Sequence, residues 1–183
     1  MGRVGEASDD RALIAVSSCL LGEAVRYDGG HKYFPCLDEV PLGQFRFMAV
    51  CPEVESGLGV PRPPLRLVRS SAGIRLQAVG NPEHDVTALL ERQVRCRVAA
   101  LEGVSGFILK SRSPSCGIED VPVFDEAGRQ VAQGSGLFVR YLMSVYPALP
   151  LAAEVQLLDV PWRDDFLQRV LAYAHHQRQA RDA

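Results

Sequence analysis

Three short segments set a cysteine among serine, proline or glycine: Ser17-Ser18-Cys19-Leu20-Leu21-Gly22, Cys51-Pro52-Glu53 and Lys110-Ser111-Arg112-Ser113-Pro114-Ser115-Cys116-Gly117. Thiolates are soft donors, suited to zinc, copper(I) or iron–sulfur clusters. Three of them meeting at one point leave a bound metal with an open coordination position, which is the mark of a catalytic site rather than a structural one. There is no CxxC pair and no closely spaced Cys/His set, which argues against a zinc finger or ribbon. Four-cysteine ligation is the usual iron–sulfur arrangement for electron transfer, whereas three cysteines would leave one iron free to act as a Lewis acid. A competing chemistry needs only Cys116, as an attacking thiolate in a sulfur carrier or hydrolase.

Each of the three cysteines follows a strongly apolar run: Leu13-Ile14-Ala15-Val16, Phe47-Met48-Ala49-Val50 and Phe107-Ile108-Leu109. If these runs are parallel strands, the cysteines share the carboxyl edge of one sheet, where ligands bind in such folds. The pattern predicts strands over 12–18, 45–50 and 106–110, with shorter extended pieces at Leu65–Val68 and Ile74–Gln77. Val86, Leu89, Leu90, Val94, Val98 and Leu101 recur at helical spacing, predicting a helix over 85–102 with Asp85 as its N-cap. A hairpin is expected around Glu126-Ala127-Gly128, then a helix over 136–146 capped by Ser135. A fourth strand at Leu149–Ala153 and an amphipathic helix over 162–180 complete the series. This rhythm is that of an α/β layered fold with one mostly parallel sheet flanked by helices. One domain is expected over 12–183, preceded by a flexible leader over 1–11.

The other two cysteines carry less signal. Cys96 falls at the edge of the apolar face of the predicted helix, where a cysteine serves as a small hydrophobe. Cys36, after Phe34-Pro35, is left open between burial and a place near the first loop. Five cysteines, an odd number, and a polar N-terminus without an apolar core point to a cytoplasmic protein without a disulfide framework. No window approaches the roughly 18 apolar residues of a membrane span. A net charge of −2 argues against a large nucleic-acid footprint and for a small-molecule partner. Arg62, Arg66, Arg69 and Arg75 fall in one acid-free stretch, read here as the exposed face of alternating strands. An RNA-modification partner is the reading in which that stretch would matter.

Five ordered motifs go further: Val16-Ser17-Ser18-Cys19-Leu20-Leu21-Gly22, Arg26-Tyr27-Asp28-Gly29-Gly30, Val50-Cys51-Pro52-Glu53, the glycine- and proline-rich segment from Gly57 to Pro64, and Lys110 to Gly117. Together they closely resemble the thiouracil desulfidase family, over about residues 12 to 175. The resemblance implies a Rossmann-like α/β domain and a [4Fe-4S] cluster held by residues matching Cys19, Cys51 and Cys116. It also implies non-redox desulfuration of a thiolated nucleobase, thiouracil giving uracil and hydrogen sulfide. Glu53 matches the family's glutamate and Ser113 its catalytic serine, with Ser115 the competing assignment. Ser115, Asp28 and Lys110 are then the expected substrate-binding residues. These motifs do not distinguish 2-thio from 4-thio substrates, free base from nucleoside, or one oligomeric state from another. One departure is visible. The segment after Glu53 reads Val54-Glu55-Ser56-Gly57-Leu58-Gly59, where many members carry paired glycines before the leucine, and the bulk and charge of Glu55 and Ser56 bear on pocket shape.

Overall fold

In a computed structural model describing residues 10–182, the three cysteine-bearing runs form adjacent parallel strands. They are β1 (Ala12–Ser17), β2 (Phe45–Val50) and β6 (Val104–Leu109), with β9 (Leu151–Ala153) beyond, in the order β2-β1-β6-β9. All the pairings are parallel. β6 is buried along its whole length, as a strand covered on both faces must be. Side chains alternate between the two faces. Ile14 and Val16 join Phe166, Val170 and Ala174 on one side, whereas Ala15 packs on the other with Val94, Val98, Phe138 and Leu142. The first set lies under α4 (Val160–Asp182), and the second under α2 (Thr87–Ala99) and α3 (Leu137–Val145). Gly106 lets α4 approach closely, since a Cβ there would lie 2.5 Å from Val170 Cγ2.

A second sheet stands beside the first and was not expected. It has the order β5-β4-β3-β7-β8, with β3 at Leu65–Ser70, β4 at Gly73–Ala78, β5 at Asn81–Asp85, β7 at Val121–Asp125 and β8 at Gln130–Gly134. Hairpins join most neighbours, but β3 and β7 pair in parallel across a long stretch of chain. That non-local pairing leaves no local signature, so the strands read as isolated extended pieces. β5 is polar and largely exposed; its backbone pairing to β4 makes it a strand, and its side chains carry no alternation to show it.

Two further expectations are corrected. α2 begins at Thr87, two residues late, and Cys96 on it is exposed rather than set against the apolar face. Ser135 does not cap α3. Its hydroxyl accepts the Glu119 amide at 3.2 Å, and Gly136 occupies the cap position. The leader expected over 1–11 lies, except for its last two residues, outside the described residues. Among the described residues no helix is long and apolar enough to cross a membrane.

Asp85 is not the N-cap expected of it, since Val86 holds that position, but it still serves the start of α2 from one residue upstream. Its Oδ1 accepts the Thr87 amide at 2.9 Å while Oδ2 pairs with Arg75 at 2.8 Å. Burial opposes its charge, but hydrogen bonds from Arg75 and Thr87 outweigh burial and lower the pKa from 3.8 to about 2. A carboxylate lowered in this way stabilises the fold above its unfolded pKa and loses that contribution in acid. Asp85→Ala is therefore expected to cost roughly 1 kcal/mol at neutral pH. Denaturant unfolding of both proteins should show the difference closing as pH falls from 3.8 through about 2.

Candidate active site and metal centre

Each cysteine is placed by a different local device. Cys19 sits in a 3-10 turn (Ser18–Leu21) that follows β1 and ends at Gly22, whose φ of 92° is readily adopted by glycine. Cys51 is the residue directly after β2, and Pro52 opens the short helix α1 (Pro52–Glu55). Cys116 lies in the loop after β6, and that loop is seated on the start of α3. The Leu137 amide donates to Pro114 O at 3.1 Å, and the Phe138 amide to Ser115 O at 3.1 Å. Ser113 Oγ accepts the amides of Ser115 and Cys116 at 3.3 and 3.1 Å, closing the turn from inside.

Because β1 lies between β2 and β6, their carboxyl ends bring Cys19, Cys51 and Cys116 to one cavity of about 620 Å³. All three thiols respond to burial, and Cys19 and Cys116 respond also to the charge of Cys51. Burial first, and then the charge of Cys51, pushes Cys19 up to about 11 against the pull of Arg26 and Lys110. Burial likewise raises Cys51. Cys116 is raised well above the ordinary thiol value, by burial and by the charges of Cys51 and Glu53, with a hydrogen bond from Ser17 opposing. Three thiolates are thus unfavourable here without a compensating cation, and a thiophilic metal centre supplies one. Among the described residues, no three His, Cys or carboxylate groups come together as a site for a single metal ion.

Glu53 also lines the cavity and is far from being a solvated surface carboxylate. Its Oε1 accepts the Ser115 hydroxyl at 2.8 Å, and Oε2 accepts Arg62 Nε at 2.9 Å. Ser113 lines the cavity directly, while Ser115 is fully buried behind Glu53. Lys110 lines it too, yet its ammonium is taken by Glu154, by Ser111 Oγ at 2.9 Å and by Ser111 O at 3.2 Å. An ammonium has three protons to give, so Lys110 reaches the cavity as charge more than as a free donor. Asp28 shapes its turn, accepting the Gly30 amide at 3.0 Å, and the neighbouring Tyr27 is the residue that lines the cavity. Cys36 is half-buried on a separate 3-10 turn, away from the cavity wall.

Two residues of the site were missed in the sequence. Arg62 belongs to the arginine-rich stretch read as an exposed face, but its side chain is 9% exposed and paired with Glu53 at 2.8 Å. The other three arginines of that stretch lie elsewhere: Arg66 over Phe124, Arg69 in solvent, Arg75 on Asp85. Glu154 is buried and accepts the Ser111 amide at 2.6 Å. Its position directly after β9, at the functional end of a parallel strand, was the available cue. Glu55 and Ser56 do not themselves line the cavity but hold two residues that do. Glu55 accepts the Cys51 amide at 3.1 Å and lies 3.0 Å from Arg97 Nε, while Ser56 Oγ donates to Pro52 O at 2.5 Å.

A parallel-sheet α/β enzyme fold with cysteines and a carboxylate at its strand ends has known counterparts. The profile of the 2-thiouracil desulfurase family matches residues 14–154, a span that includes all three cysteines and Glu53. The chain belongs to that family. The uncharacterized protein YbbK of Bacillus subtilis (strain 168) is 30% identical over 131 residues, covering 68% of this chain and 85% of YbbK. The solved structure of the [4Fe-4S]-dependent thiouracil desulfidase TudS superposes with a TM-score of 0.65 at 30% identity, over 85% of this chain and 99% of that one.

The seat of the Cys116 loop is testable at Gly136, where a Cβ would lie 2.4 Å from the backbone C and O of Ser115. Gly136→Ala must push Ser115 and Cys116 off the start of α3. Its expected cost is about 1–3 kcal/mol in stability, together with weakened metal loading read from visible absorption after anaerobic reconstitution.

Proposed function

We propose that this chain is a [4Fe-4S]-dependent thiouracil desulfidase that exchanges the sulfur of a thiolated nucleobase for oxygen without net redox change. Water and the thiocarbonyl give a carbonyl and hydrogen sulfide, so atoms and electrons balance. The observation that carries this reading is one cavity walled by three cysteines from three adjacent strand ends and by Glu53. Cys19, Cys51 and Cys116 are the residues that would hold the cluster, their thiols being soft donors that burial keeps protonated until a cation arrives. When bound, the cluster supplies a Lewis-acidic iron without a protein ligand, matched to a soft sulfur.

The remaining chemistry belongs to the chain. Glu53 faces the cavity and serves as general base for the attacking water, then returns the proton to the departing sulfide. Ser113 has both acceptor positions engaged by the amides of Ser115 and Cys116, so its own O–H is left to donate into the cavity. It therefore holds the oxygen or ring nitrogen on which negative charge develops. Ser115 acts through Glu53 instead of touching the base. Lys110 adds positive potential beside Cys19. A cluster-free mechanism with Cys116 as nucleophile would call for a lowered thiol pKa, and burial drives this one the other way.

Anaerobically reconstituted protein should be brown and should release sulfide from thiolated uracils. Replacing Cys19, Cys51 or Cys116 by serine should each bleach the visible absorption and stop turnover. Glu53→Gln should keep the absorption and lower turnover by about 10²–10⁴-fold. A colourless protein with full activity would overturn the proposal.

A further inference from the structure

We infer that Arg62 is the positioning residue of Glu53 and selects which carboxylate oxygen meets the reacting water. The inference rests on Glu53 as the proton-handling group. The guanidinium is fixed on every side. Nε and Nη2 stand 2.9 and 2.8 Å from Glu53 Oε2, and Nη1 donates to Gly59 O at 3.1 Å. The Arg62 backbone amide donates to Tyr27 O at 2.9 Å. Tyr27 lines the cavity, as does Arg62 itself, so Arg62 ties that wall to the base.

Held this way, the two oxygens of Glu53 are unequal. Oε2 carries two guanidinium nitrogens, and among the described residues Oε1 accepts the Ser115 hydroxyl alone, at 2.8 Å. An ionised carboxylate has about four acceptor positions, so Oε1 is the oxygen with capacity to spare. The side chains of Glu53 and Arg62 are only 13% and 9% exposed, and a charge-assisted pair this sheltered from water holds its geometry well. Without Arg62, Glu53 rotates about its terminal torsion and Oε1 leaves its station, although the thiols and the cavity remain.

The test is steady-state sulfide release from a thiolated uracil by the reconstituted holoenzyme, with visible absorption and thermal unfolding recorded alongside. Arg62→Ala is expected to lower kcat by about 10²-fold, the typical effect of a small misplacement of a catalytic group. KM should change far less, and the cluster absorption should persist. Guanidinium ion at low concentration should restore part of the kcat of Arg62→Ala and none of the kcat of Glu53→Gln. If Arg62→Ala fails to fold or load, Arg62→Lys replaces it. Lysine keeps the charge without the fork, and an intermediate kcat is expected. An unchanged kcat in the loaded variant, or a loss confined to KM, would overturn the positioning role. Normal turnover by Glu53→Gln would instead remove the base assignment itself, so the two failures are told apart.

Discussion

The first turn of α3 has backbone amides with no partner inside the helix, and the loop carrying Cys116 has carbonyls with no strand to pair with. Each answers the other. The amides of Leu137, Phe138 and Val139 donate to the carbonyls of Pro114 and Ser115, and the Gly136 amide donates to Gly117 O at 2.9 Å. No side chain caps this helix; the functional loop is its cap. Gly136 permits this, because any Cβ would occupy the space of the Ser115 carbonyl. The helix is in turn anchored to the strand from which the loop departs, through the edge-to-face contact of Phe138 with Phe107 at 5.5 Å. The backbone of Cys116, the hydroxyl of Ser115 and, through that hydroxyl, Glu53 all inherit their positions from this junction.

Charge is managed in two ways around the cavity. The carboxylates are paired: Glu53 with Arg62, and Glu154 with Lys110. A sheltered carboxylate left alone would be costly, and these pairs also pin three separate loops to the sheet. The thiols are treated differently. Cys19 and Cys116 are buried and Cys51 is half-buried, and the charge of Cys51 raises the pKa of both others. That arrangement costs little while they are protonated, and it becomes favourable as thiolates only when a multivalent cation shares the cavity. Under the proposed function, metal loading would thereby be coupled to site formation and would release the thiol protons.

The strand-end cysteines were legible because each follows an apolar run long enough to be a buried strand, and because parallel strands expose their carboxyl ends on one edge. The pairing order that makes them neighbours was open to reasoning but not written in any one segment. The second sheet was hidden for a related reason. β3 and β7 are joined by a parallel pairing whose partners lie far apart in the chain, and β5 has no apolar alternation at all. Arg62 was misread because a run of arginines looks alike whether its members face solvent or a buried carboxylate. Its neighbours Arg66 and Arg75 found different partners, a ring and an aspartate. Cys96 shows the opposite error, an assumption of burial on a helix face that solvent in fact reaches.

The Glu55 departure bears on the scaffold more than on the pocket. Its carboxylate accepts the Cys51 amide and lies against Arg97 of α2, and Arg97 Nη2 reaches back to Ala49 O at 3.4 Å. Cys51 is thus braced against a helix on the flank of the sheet, as Cys116 is braced against α3. Cys19 completes the set through its own carbonyl, which accepts the Lys32 amide at 2.8 Å. Each of the three cysteines after the strand ends is therefore held by a backbone contact of its own. Such bracing suits the proposed cluster, whose ligands would have to hold their spacing while a substrate enters beside them.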